Sequence, residues 1–225
     1  MTQHALARMC GAIYLIVVGT GIFSLAYVPG QIMVAGDQLA TLANIRENEA
    51  LYRMGVAGLL LNQLAFFVLP LALFALLAQV DRGLAKVMVL SALAGIPLAL
   101  VSAAERMVLL DLANAALPQE TLVELATASR SSAGRAMLFA TAFWGLWLLP
   151  FGYLVYRSGF LPRLLGIVLM LGCGGYLVNL FGLILMADYA QTAVAATLRW
   201  PATIGEIGIC LWLLLLGARA GFRAT

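Results

Sequence analysis

Long apolar runs, each near the twenty residues that a helix needs to cross a bilayer, are separated by short stretches holding nearly all the charge. Lipid offers the backbone no hydrogen-bonding partner, so runs of this kind must be helical. About six qualify on length, approximately residues 9–27, 55–79, 87–110, 136–156, 164–187 and 201–217. Hydrophobic residues make up 64% of the 225 and charged residues 10%, with mean hydropathy +1.01, which excludes an ordinary soluble domain. The expected fold is all-α: a polytopic membrane helix bundle of about six transmembrane helices, one integral membrane domain over residues 1–225, with short interfacial helices in the outer loops.

Direction follows from Lys and Arg, which short cytoplasmic loops retain. One side collects Arg8, Arg82, Lys86, Arg157, Arg163, Arg219 and Arg223, with Asp81 as its acid. The other holds Arg46, Arg53, Arg130, Arg135 and Arg199 among Asp37, Glu47, Glu49, Asp111, Glu120, Glu124 and Asp188. Both termini are therefore expected in the cytoplasm. A cleaved signal peptide is the alternative at the start, because Arg8, the apolar run from Met9 to Phe23 and Ser24-Leu25-Ala26 fit its three regions. Cleavage would leave five crossings and an outer N-terminus; the apolar continuation from Val28 to Val34 argues for a span instead. The net charge of +3 reflects topology, and no basic, aromatic-bearing soluble surface points to nucleic acid.

Cys10, Cys173 and Cys210 lie in apolar runs at unrelated spacings and read as small core residues, with no metal-ligand arrangement. His4, the single histidine, falls in what reads as an N-terminal tail. No cofactor is expected.

Each long outer loop carries a helical pattern. Asp37 is a plausible N-cap for a stretch that places Leu39, Leu42 and Ile45 on one stripe, and Pro118 starts a second with Leu122 and Leu125. Both are too short to span, so they are expected on the outer interface or capping the bundle. A third short amphipathic piece is expected between Tyr189 and Trp200. On the inner side the connections Asp81 to Lys86 and Arg157 to Arg163 are tight, which makes the flanking spans antiparallel hairpins. Val68-Leu69-Pro70 precedes the first turn as Leu148-Leu149-Pro150 precedes the second, the pattern a repeated hairpin would leave. Pro70, Pro97 and Pro150 should kink their helices, while Gly172, Gly174 and Gly175, and Gly11, Gly19 and Gly21, favour close helix contact.

Polar side chains recur at matching depth. At 1.5 Å per residue, Asn62 lies about 10 Å inward from Gly55, Glu105 about 9 Å from Asp111, Asn179 about 13 Å from Asp188 and Glu206 about 8 Å from Pro201. Gln63 and Arg106 are sequence neighbours of two of these, and Arg135 can reach in from the top of the fourth span. Carboxylates at that depth are costly unless paired, wet or protonated, so a polar network or pocket open to the outside is expected, with Arg106 pairing Glu206 or Glu105. A carboxylate left unpaired would be able to exchange protons. The bland alternative is that these groups hold the helices together. Catalysis is not expected: the spans contain no histidine, Ser102 and Thr141 have no evident base, and no catalytic residue is assigned. Trp144 and Trp147 suit packing or the flanking of an apolar ligand.

The string from Trp147 to Gly166, WLLPFGYLVYRSGFLPRLLG, resembles the signature of the bacterial integral membrane family called domain of unknown function 4386. Gly36-Asp37 followed by Ala40-Thr41, Asn44-Ile45 and Leu51-Tyr52-Arg53 looks like that family's first outer loop. Glu206 followed by Leu211-Trp212-Leu213-Leu214 and Gly217 looks like its last helix. Ser131 to Arg135 departs from the histidine-bearing approach to the fourth helix in many members. The resemblance implies a bacterial inner-membrane protein, carries over no catalytic residue, and points to Glu206 as the acidic position of the last helix. The function expected from the sequence is non-enzymatic: binding or moving a small molecule or lipid through an outward-facing polar pocket. The alternative is an accessory protein acting on a partner membrane protein or on further copies of itself, and a membrane-embedded enzyme ranks third.

Overall fold

With backbone pairing confined to each segment, every apolar run becomes a helix and its ends are set by caps and turns. The computed structural model describes residues 2–218, and within them six helices are long and apolar enough to cross a membrane. The protein is therefore an all-α, multi-pass membrane protein. In chain order the elements are α1 (Gln3–Ile32), α2 (Gln38–Glu47), α3 (Glu49–Leu77), α4 (Arg82–Ala113), α5 (Gln119–Arg157), α6 (Arg163–Leu185), a 3₁₀ turn (Tyr189–Gln191), α7 (Ala193–Thr197) and α8 (Trp200–Leu215). The sixth span comprises α7 and α8. Arg219 and Arg223, counted above on the basic side, lie outside the described residues.

Two expectations change. Pro118 does precede a helix, but that helix runs on into the fourth span, so no separate interfacial element exists there. Arg130, Gly134 and Arg135 supply polarity without a stop signal, and polarity alone does not end a helix. His4 is not in a tail: it lies in the first turn of α1, its Nδ1 3.3 Å from the Ala218 carbonyl oxygen. Of the three prolines, Pro70 and Pro97 sit inside uninterrupted helices. Pro150 lies just past a step at Trp147 that divides α5 into Gln119–Leu146 and Leu148–Arg157, since it cannot donate to the Leu146 carbonyl.

By its contacts the chain divides into two compact units. The first comprises Met1–Ile16, Ala65–Ile96 and Phe139–Thr225. In it the second stretch of α5 folds back on α6 through a turn in which Ser158, Phe160 and Leu161 are buried. Ser158 Oγ donates to the Val155 carbonyl and accepts from the Leu161 amide, and Gly159 takes φ 71°, a conformation that favours glycine. Gly152 and Gly166 let the two backbones touch. At the α3–α4 turn Asp81 Oδ1 accepts from the Leu84 amide at 2.8 Å and so caps α4. Helix α8 packs on α6, with Ala202 against Gly172 and Gly205 against Leu169. The first half of α1 runs antiparallel to α8: Arg8 Nε donates to the Leu214 carbonyl at 3.1 Å, and Cys210 Sγ contacts the Gly11 carbonyl at 3.8 Å. A Cβ on Gly11 would strike the backbone of Leu214, whereas Gly174 meets nothing. Cys10, Cys173 and Cys210 are buried free thiols.

The second unit comprises Val17–Leu64 and Pro97–Leu138. Its core gathers Val28, Ile32, Tyr52, Val56, Leu109 and Leu110 beneath Leu42 and Ile45 of α2. As expected, Asp37 caps α2, accepting from the Ala40 amide at 2.9 Å. Helix α2 also closes the ends of two others. Asn44 Nδ2 donates to the Ile32 carbonyl at 3.0 Å and Arg46 Nε to the Ala113 carbonyl at 2.8 Å, groups that α1 and α4 cannot satisfy internally.

Candidate functional site

In the second unit the polar residues of the expected layer pair with near neighbours. Asn62 Nδ2 donates to the Val17 carbonyl at 2.6 Å and to Thr20 Oγ1 at 3.2 Å, across a gap that Gly21 keeps narrow. Gln63 Nε2 donates to Asn62 Oδ1 at 2.9 Å. Glu105 does not pair with Arg106. Its carboxylate accepts from Ser132 Oγ at 2.6 Å, while Ser129 Oγ lies 2.9 Å from both its carboxylate and its backbone carbonyl, tying α4 to α5. Arg135 is exposed and donates to the Ser131 carbonyl of its own helix rather than reaching inward.

Arg106 has a task that begins with a proline. From Phe23 to Tyr27 α1 widens into a π-turn, so the Val28 amide bonds to the Phe23 carbonyl. In that register the next carbonyl, of Ser24, would need the amide of residue 29, which is proline and has none. Arg106 Nη1 supplies the missing donor at 3.1 Å, and Tyr52 Oη in turn donates to the Arg106 carbonyl at 3.0 Å. The guanidinium is thus occupied by the backbone of α1.

In the first unit Asn179 is likewise engaged. Its Oδ1 accepts from Tyr189 Oη at 2.8 Å and its Nδ2 donates to the Ala195 carbonyl at 3.3 Å, pinning the segment before α8 onto α6. Trp147 is almost fully buried and packs against Phe66, Phe151 and Tyr14, which makes it a packing residue. Trp144 sits against Gly95.

Glu206 is different. It is partly buried on α8, one turn before Cys210, and among the described residues its carboxylate makes no hydrogen bond or ion pair. Tyr14 of α1 and Tyr176 of α6 lie within its electrostatic reach. Tyr14 is 1% exposed, and its hydroxyl has no hydrogen-bond partner among the described residues. The packing described above places Tyr14 there, since α1 is held along α8 at Gly11 and Cys210, while Gly145 of α5 receives the Tyr176 side chain. The sequence reading did not single out Tyr14 or Tyr176; a phenol deep in an apolar run was the available signal. A carboxylate and two phenols from three helices, none with a hydrogen bond among the described residues, form a place where a donor would be held strongly in low dielectric.

A family model described as a domain of unknown function, DUF4386, matches residues 9–217. No curated protein and no solved structure matches the chain. The string from Trp147 to Gly166 that carried the resemblance forms the hairpin of α5 and α6, with Gly152, Gly159 and Gly166 at its closest points. With the match running through all six spans, this chain belongs to the DUF4386 family of integral membrane proteins.

Proposed function

We propose that this protein binds or moves a small molecule or lipid at Glu206, without catalysing a reaction, in the bacterial inner membrane with both termini in the cytoplasm. The observation that supports this most is the Glu206 carboxylate without a hydrogen-bonding partner among the described residues, beside the buried, unpartnered hydroxyl of Tyr14. An acidic side chain near the middle of a membrane helix costs roughly 3 kcal/mol on insertion scales, and a structural role would be expected to offset that with internal partners, as Glu105 does. Orientation is supported by Arg8, Arg82, Lys86, Arg157 and Arg163, and by the use of Asp81 as a helix cap, which spends the one acid of that side on α4.

Native mass spectrometry of protein released from lipid nanodiscs, comparing wild type with Glu206→Gln, tests the reading. A defined adduct present in the wild type and lost in the variant is the expected result. Identical bulk lipid on both would remove Glu206 from the function.

A second reading, an accessory protein acting on partner membrane proteins, is favoured by a separate observation. Asn62, Glu105, Arg106 and Asn179 all bond to neighbouring segments of the chain, which is how internal glue behaves. It predicts a co-purifying partner that survives Glu206→Gln.

A further inference from the structure

The chemistry of a ligand at Glu206 is constrained by a second charge on the same helix. Arg199 stands at the N-cap of α8, exposed, and among the described residues its guanidinium makes no ion pair or hydrogen bond. Glu206 follows seven residues later, so the two fall on one face about 10 Å apart along the axis. That is two turns, beyond the one-turn spacing at which side chains on a helix pair directly. Thr203 lies on the same stripe, its Oγ1 turned back to the Arg199 carbonyl at 3.1 Å.

Tyr176 of α6 joins the two charges. Its backbone stands beside the N-terminal end of α8, next to the contact of Gly175 with Leu198, and the charges of Glu206 and Arg199 both act on it. Its level is fixed by packing, since Gly175 meets the Leu198 carbonyl, Gly172 meets Ala202, and the Tyr176 Cβ would lie 2.6 Å from a Cβ on Gly145. An anion, a phenol and a cation are thereby arranged in a row on α6 and α8, with the unpartnered Tyr14 hydroxyl at the anionic end.

A ligand of single charge would engage one end only, whereas the half-buried Glu206 carboxylate and the exposed Arg199 guanidinium are both without a partner among the described residues. We infer that this row takes a zwitterion, its ammonium group on the Glu206 carboxylate and its phosphate or carboxylate on the Arg199 guanidinium, with the Tyr176 hydroxyl between them. This rests on the proposed function and names its ligand class. An ethanolamine phosphate group with a hydrogen bond of about 3 Å at each end has the required length. Exposed Trp200 beside Arg199 suits the membrane interface, where such headgroups lie.

The test uses the full chain in nanodiscs holding equal amounts of phosphatidylethanolamine and phosphatidylglycerol, with retained lipid read by native mass spectrometry. The wild type is expected to keep the ethanolamine lipid over the glycerol lipid by about tenfold, the scale of one charge-assisted hydrogen bond. Glu206→Gln and Arg199→Gln should each remove that preference, while Arg199→Lys, which keeps the charge, should preserve it. Soluble phosphoethanolamine that displaces the lipid would assign recognition to the headgroup alone; a preference that resists it would assign the whole lipid as ligand. An adduct lost in Glu206→Gln but unchanged in Arg199→Gln would overturn the zwitterion while leaving the binding centre. An adduct unchanged in both would overturn the two together.

Discussion

Gly152 of α5 and Gly166 of α6 approach so closely that a Cβ on either would lie 2.6 Å from the carbonyl oxygen of the other. The inner hairpin is therefore closed by two backbones in contact, with side chains excluded from the crossing. Alanine at either position must push the helices apart, and overpacking of this kind costs about 1–3 kcal/mol. Gly152→Ala and Gly166→Ala should each lower the thermal midpoint in detergent or nanodiscs. Gly174→Ala, whose new Cβ meets nothing within 4 Å, should leave it unchanged or raise it slightly.

The pairing of Arg106 with the Ser24 carbonyl predicts a particular coupling. Arg106→Met should destabilise the protein by about 1–3 kcal/mol, because a buried carbonyl loses a charged donor. Pro29→Ala returns a backbone N–H able to reach that carbonyl. In the Pro29→Ala background the same Arg106 change should cost less, with a coupling of at least about 1 kcal/mol in a double-mutant cycle of unfolding free energies. Full additivity would show that the guanidinium serves another purpose.

Six spans were legible from the chain because lipid leaves the backbone no alternative to helix. The α2 cap was legible too, since Asp37 carries its own signal. The continuity of α5 was not: Arg130 and Arg135 mark a polar stretch, and polarity reports the solvent rather than a helix end. Depth could be computed from the rise per residue, so Asn62, Glu105, Asn179 and Glu206 were expected at one level; the structure engages the first two within the second unit and Asn179 within the first. Direction around each helix could not, and it decides everything about partners. Glu105 meets serines on α5, Asn179 meets Tyr189, and Arg106 answers a vacancy created by a proline far away in sequence. Tyr14 was missed because an aromatic residue in an apolar run reads as packing until its hydroxyl is seen without a partner.

Glu105 and Glu206 should respond oppositely to removal of charge. Ser132→Ala or Glu105→Ala breaks a satisfied network and should lower stability by about 1–3 kcal/mol. Glu206→Gln, measured free of ligand, removes an uncompensated carboxylate and should leave the thermal midpoint equal or higher. A marked loss of stability in Glu206→Gln would favour internal glue over a binding centre.

The proposed orientation predicts which loops a membrane-impermeant thiol reagent can reach in intact cells. Glu47→Cys, at the exposed end of α2, should be labelled from outside, and Gly83→Cys, exposed in the first turn of α4, only after the membrane is opened. Background should be low, because Cys10, Cys173 and Cys210 are buried. The reverse pattern would invert the topology.

The division of the chain has a consequence for the order of synthesis. Every segment of the second unit has been synthesised once Leu138 is made, so the bonds of Arg106 to Ser24 and of Glu105 to Ser129 need nothing that comes later. The opening half of α1 has no such early partner in α8: Arg8 meets Leu214 across a separation of 206 residues. At roughly 5–20 residues per second, about 10–40 s pass between the synthesis of Arg8 and that of Leu214. The surroundings of Tyr14 are thus incomplete until α8 has been made, and the centre at Glu206 assembles after the second unit.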